Sequence, residues 1–107
     1  MLVAGELLVV GWGSTYGSIK SAVDRKRREG KSVSHVHLRH LSPLPADLGT
    51  ILSRFKKVLV PEMNLGQLCD ILRARFVIPA IPLSKVKGQP FTITEIADAI
   101  ENTLKGK

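Results

Sequence analysis

Glu62, Asn64 and Gln67 put a carboxylate and two carboxamides at the exit of the short apolar run Lys57–Val60, with Gly66 lying between the amides. Acceptors and donors gathered at one strand mouth could orient a cofactor, act as an acid or base, or bond the backbone of another subunit. Covalent catalysis would need an activated nucleophile as well. Neither Ser14 nor Cys69 comes with a histidine that the sequence positions as its base. The chain is therefore expected to have no catalytic residue of its own.

A second group is the glycine-rich turn Gly11-Trp12-Gly13-Ser14-Thr15-Tyr16-Gly17, which follows Leu7-Leu8-Val9-Val10. Glycines at 11, 13 and 17 resemble the spacing of dinucleotide-binding loops, where a bare backbone approaches pyrophosphate and helix amides complete the site. A ribose-binding acid should then end the second strand, but Arg39 and His40 stand there, a pair that would suit a 2′-phosphate. Trp12 and Tyr16 are bulky for such a loop, so a tight turn packed on a neighbouring domain is the competing reading. His35, His37 and His40 suggest a metal, because strand residues two apart share a face. Arg39 shares that face and would repel a cation, which favours structural histidines and no metal.

A formal charge of +7 stems largely from Arg25-Lys26-Arg27-Arg28 and Lys31. Nucleic acid, a phosphorylated ligand or an acidic protein could answer it, as could plain solvation of a helix face. Nucleic acid is disfavoured, since aromatics make up 5% of the chain and no stacking, zinc or helix-turn-helix signature occurs. No apolar run nears the ~20 residues of a membrane span. The single cysteine excludes an internal disulfide and cannot alone hold a metal or cluster, which suits a reducing, cytoplasmic setting. Met1–Glu6 lacks the basic leader of a secretory signal.

The elements that must position these groups alternate. Leu7–Val10 reads as a strand buried on both faces. Tyr16, Ile19 and Val23 mark a helix capped by Ser14 or Thr15 and closed by Gly30. Val33–Arg39 alternates as a second strand. A short helix carries Leu48, Ile51, Leu52 and Phe55 on one face, and Lys57–Val60 forms the third strand with 61–67 as its exit loop. Leu68, Ile71 and Leu72 define another helix, and Phe76–Leu83, broken by Pro79 and Pro82, gives an edge strand. Thr92 and Glu95 have capping-box spacing before a last helix lined by Ile96, Ile100 and Leu104. Residues 1–107 thus read as one α/β domain, a mostly parallel sheet with helices on both faces. Its functional loops, 11–17, 39–45 and 61–67, should converge at the carboxyl ends of the strands.

Three stretches, Leu7–Gly17, His37-Leu38-Arg39-His40-Leu41-Ser42-Pro43-Leu44-Pro45 and Val60-Pro61-Glu62-Met63-Asn64-Leu65-Gly66-Gln67-Leu68, resemble the carboxy-terminal domain of 2-oxoacid:ferredoxin oxidoreductase alpha subunits, the 2-oxoglutarate type above all. Lys85–Phe91 and the helix after it resemble the tail of that subunit. The resemblance implies a transketolase C-terminal-like fold, a three-layer α/β/α sandwich around a five-stranded sheet whose first, antiparallel strand would precede Leu7. Only Met1–Glu6 remain for it, so the chain reads as a fragment or an excised domain. It further implies an enzyme that decarboxylates a 2-oxoacid on thiamine diphosphate and magnesium, passes the acyl group to coenzyme A, and sends electrons through iron–sulfur clusters to ferredoxin. Those groups would be bound by other domains and by the beta subunit, leaving this domain to organise the assembly. The contact set would be Gly11, Trp12, Gly13, Ser14, Tyr16, Gly17, Arg39, His40, Glu62, Asn64 and Gln67. Arg25, Lys26, Arg27 and Arg28 would dock an acidic partner such as ferredoxin, or serve solubility alone. A small phosphate-, nucleotide- or coenzyme A-binding module is the alternative.

Overall fold

A computed structural model describes residues 5–12, 16–38, 48–62, 67–76, 80–84 and 91–105. Strands β1 (Gly5–Trp12), β2 (Val33–Leu38), β3 (Phe55–Glu62) and β4 (Ile81–Ser84) alternate with helices α1 (Tyr16–Arg28), α2 (Leu48–Leu52), α3 (Gln67–Phe76) and α4 (Ile93–Leu104). The strands form one sheet in the order β2-β1-β3-β4. Every pairing is parallel. β1 lies inside the sheet, and Leu7, Leu8, Val9 and Val10 are almost completely shielded. Apolar residues on both faces of a strand require a helix layer on each side.

Those layers enclose two cores. Leu7, Val9, Val33 and Leu59 point toward α1 and α4, where Ile19, Val23, Ile96 and Ile100 meet them. Leu8, Val10, Val58 and Val60 point the opposite way, toward Leu48 and Leu52 of α2 and Leu68 and Leu72 of α3. The result is the expected three-layer α/β/α sandwich.

Local signals place the ends of α1 and α4. Gly30 adopts φ 88°, a left-handed conformation that glycine tolerates without a Cβ penalty. Its N–H bonds the Arg27 carbonyl at 3.0 Å and the Lys31 N–H reaches Lys26 at 3.1 Å, closing α1 as a Schellman motif. At α4, Thr92 Oγ1 accepts from the Glu95 N–H at 3.0 Å, and Glu95 Oε1 accepts from the Thr92 N–H at 2.8 Å. The capping box is present as read from the sequence.

Several boundaries differ from expectation. β1 and β3 each run two residues further than the apolar code suggests, so Gly11 and Trp12, and Pro61 and Glu62, are strand rather than loop. Proline is tolerated at 61 because β1–β3 pairing ends at Val9↔Leu59, and beyond it β3 is paired on the β4 side. Phe55 opens β3 instead of extending α2, which stops in the turn at Ser53 and Arg54. Phe76 ends α3 rather than starting the last strand, and its ring lies so close to Gly49 that a Cβ there would sit 3.0 Å from it. β4 is confined to Ile81–Ser84 at the sheet edge. Tyr16, expected on the buried face of α1, is 48% exposed.

Candidate functional site

The chain leaves β1 toward β2 on one side and leaves β3 toward β4 on the other. The carboxyl ends of β1 and β3 therefore flank the topological switch point, the crevice where open α/β sheets commonly receive ligands. Here side chains of the same chain bridge it. Glu62, at the tip of β3 and 1% exposed, accepts a hydrogen bond on Oε1 from the Trp12 indole Nε1 at 3.2 Å. The same oxygen accepts from the Leu68 N–H at 2.7 Å, and Oε2 accepts from the Cys69 N–H at 3.0 Å.

This arrangement follows from the chemistry of both partners. A buried carboxylate is tolerable only when donors replace its water. The first-turn amides of α3 are donors without intrahelical acceptors, at the positive end of the helix dipole. Phosphate-binding folds offer such amides to a ligand. In this chain an internal carboxylate, Glu62, occupies the Leu68 and Cys69 amides from within.

Across β1, a second cluster forms on the α1 side. The Tyr16 ring lies 5.6 Å from the His35 ring and 5.1 Å from that of His37, and the two imidazoles are 6.3 Å apart. Burial, followed by the neighbouring His37, lowers the His35 pKa to about 4, so the ring is neutral at physiological pH. His35 Nε2 and Ser34 Oγ, both on the edge strand β2, are buried without a hydrogen-bond partner among the described residues. Among those residues no three His, Cys, Asp or Glu side chains are placed to hold a metal ion. Gly17 is exposed beside Tyr16, and a Cβ added to it would meet nothing within 4 Å.

The candidate residues thus divide. Trp12 and Glu62 join at the β1–β3 seam, while Tyr16 and Gly17 stand at the start of α1. Gly11 is buried within β1, in register with His37. Gly13, Ser14, Arg39, His40 and Asn64 lie outside the described residues. Gln67 opens α3, and its side chain lies outside the description. Glu62, one of the residues expected to contact other protein, instead directs both oxygens to its own chain. No motif announces that bond pattern. Its only sequence signal is an acid at a strand tip shortly before a helix whose first turn has amides to satisfy.

The basic helix divides as well. Lys26 is buried against α4, where its ammonium bonds Glu101 and Glu29, each at 3.1 Å. Lys31 adds a contact to Glu101 at 3.6 Å. These bonds raise the Lys26 pKa and lower that of Glu101. Lys26 is therefore an internal clip rather than part of a docking patch, because its long stem packs in the α1–α4 seam and only there can it reach Glu101. Arg25, Arg27 and Arg28 remain exposed. Cys69 is buried, with Sγ 3.5 Å from the Ala80 carbonyl, and burial raises its thiol pKa, which leaves it a poor nucleophile.

Comparison with known proteins fits this geometry. Subunit KorA of the 2-oxoglutarate oxidoreductase of Mycobacterium tuberculosis is 48% identical over 102 residues, covering 95% of this chain and 16% of the relative. The alpha subunit of 2-oxoacid:ferredoxin oxidoreductase 1 of Aeropyrum pernix is 36% identical over 106 residues, again covering 16% of the relative. The chain thus spans about one sixth of the length of these curated relatives. A solved 2-oxoglutarate:ferredoxin oxidoreductase from Magnetococcus marinus, with 2-oxoglutarate, coenzyme A and succinyl-CoA bound, superposes with a TM-score of 0.90 at 33% identity, covering 97% of this chain and 18% of that one. A split-gene transketolase, described as an inactive beta4 tetramer, matches at a TM-score of 0.73 and 18% identity over 94% of this chain and 38% of its own, a likeness of fold. Residues 5–96 match the family described as pyruvate:ferredoxin oxidoreductase core domain II. The chain belongs to that family.

Proposed function

We propose that this chain is a non-catalytic assembly domain of the alpha subunit of a 2-oxoglutarate-type 2-oxoacid:ferredoxin oxidoreductase. The single observation that carries the reading is the Glu62 bridge. It joins the tips of β1 and β3 from inside the chain, with half-buried Trp12 beside it. Helix amides already taken by an internal carboxylate, with the aromatic side chains of Trp12 and Tyr16 partly exposed, suit contact with another protein surface.

The full reaction belongs to the assembled enzyme: oxidative decarboxylation of a 2-oxoacid to an acyl-CoA, with electrons passed to ferredoxin. The described residues do not fit the cofactors this implies. The oxygens of the one buried carboxylate among them already accept from Trp12, Leu68 and Cys69. The lone cysteine, buried against Ala80, cannot ligate a cluster. Thiamine diphosphate, magnesium, iron–sulfur cluster and coenzyme A are accordingly assigned to other domains and to the beta subunit. Among the described residues no helix is long and apolar enough to cross a membrane. With a single thiol in the sequence, a reducing cytoplasmic setting completes the reading.

Co-expression of the tagged chain with the remaining parts of the enzyme tests the proposal. Stoichiometric co-purification, with no turnover of 2-oxoglutarate and coenzyme A by the chain alone, is the expected result. Turnover by the chain alone would refute it.

A further inference from the structure

Trp12 is the only tryptophan of the chain, and its indole N–H is held by a carboxylate that also holds two amides of α3. Backbone pairing between β1 and β3 ends at Val9↔Leu59, so beyond that point no ladder joins the two strand tips. Glu62 supplies the link there. One oxygen is shared by Trp12 and Leu68, so the carboxylate that holds the start of α3 also holds the indole. The ring is half-buried, with one part packed on the α2–α3 core and the remainder open.

We infer that Glu62 is a positioning residue that locks Trp12 and the first turn of α3 into one pre-set unit, with Trp12 as the anchor that docks on the rest of the subunit. This rests on the assembly reading for its partner, though not for the lock itself. Binding surfaces gain affinity when their aromatic anchors are already fixed in the bound orientation, because less rotamer freedom is lost on docking. A carboxylate suits the task better than a carboxamide. It presents two accepting oxygens to three donors, whereas Gln would turn an NH2 group toward at least one of them.

Two substitutions separate the lock from stability. Glu62→Gln should raise acrylamide quenching of Trp12 fluorescence in the free, folded chain. Lys26→Met, which acts at the far α1–α4 seam, should leave quenching unchanged. Trp12→Phe keeps the apolar ring and the α3 contacts of Glu62, so the fold should persist while association with the remaining subunit parts weakens about tenfold. Adding Glu62→Gln to Trp12→Phe should weaken association no further, since both act through one unit. Quenching that is unchanged in folded Glu62→Gln would overturn the lock. Undiminished association of Trp12→Phe, or losses that multiply in the double variant, would overturn the anchor. Failure of the wild-type chain to associate would instead refute the assembly reading and the anchor with it, and quenching in the free chain would still decide the lock.

Discussion

Glu62→Ala is the most informative single perturbation of the free chain. It leaves the Leu68 and Cys69 N–H groups without the acceptors now at 2.7 and 3.0 Å, in a place water does not reach. A buried donor left unmet costs about 1–3 kcal/mol, and the space vacated by the side chain adds about 1 kcal/mol. Part of this is offset because a charge no longer has to be buried. The net loss should be about 3–4 kcal/mol, equivalent to roughly 12–20 °C in melting temperature for a domain of this size. Urea unfolding followed by far-UV circular dichroism would measure it, with an unchanged slope showing that the cooperative unit is intact. Glu62→Gln, which keeps one acceptor, should lose roughly 1–2 kcal/mol. A loss below about 1 kcal/mol for Glu62→Ala would refute the argument that Glu62 caps α3 from within.

Three further outcomes follow from the same geometry. Replacing Lys26 by Ala should destabilise the chain by about 1–2 kcal/mol in thermal melts, a modest loss because Glu101 keeps Lys31 at 3.6 Å. His35, lowered to about 4 from 6.5, binds its proton more weakly folded than unfolded, so its contribution is full above pH 6.5 and is lost as pH falls toward 4. At a ring partly open to solvent this amounts to roughly 1–2 kcal/mol, and His35→Gln should flatten the pH dependence of stability between 6.5 and 4. Gly17→Ala should leave the free chain as stable or up to about 1 kcal/mol more so, because its new methyl meets nothing and alanine favours helix. In the assembly the same methyl should weaken association if a partner packs over that turn, and unchanged binding would place the partner elsewhere.

Much of the fold was legible in the sequence because its signals were local. Leu7–Val10 forms the buried strand, Gly30 closes α1, and Thr92 with Glu95 opens α4 as spacing and composition suggest. The misplaced boundaries arose where tertiary context overrides local code. Trp12 and Glu62 look like loop residues because they are large and polar-tipped, yet sheet geometry extends the strands to them. Phe55 has helical spacing from Leu48 and Leu52 and still begins a strand, since the same core is reached from either element. The site was half-legible. Its location at the strand mouths could be read from the alternation of elements, whereas the partners of Glu62 and Lys26 could not. The Trp12–Glu62 and Lys26–Glu101 bonds join residues 50 and 75 positions apart, which no local pattern encodes, and the bonds of Glu62 to the Leu68 and Cys69 amides, though local, follow no motif.

Hydrogen exchange compared between the free chain and the assembled enzyme decides whether the strand mouths are the docking surface. Amides around Trp12, Tyr16, Gly17 and the start of α3 should slow on assembly, while the basic end of α1, with Arg25, Arg27 and Arg28 exposed, changes little. Slowing confined to that basic end, with the strand mouths unaffected, would contradict the account.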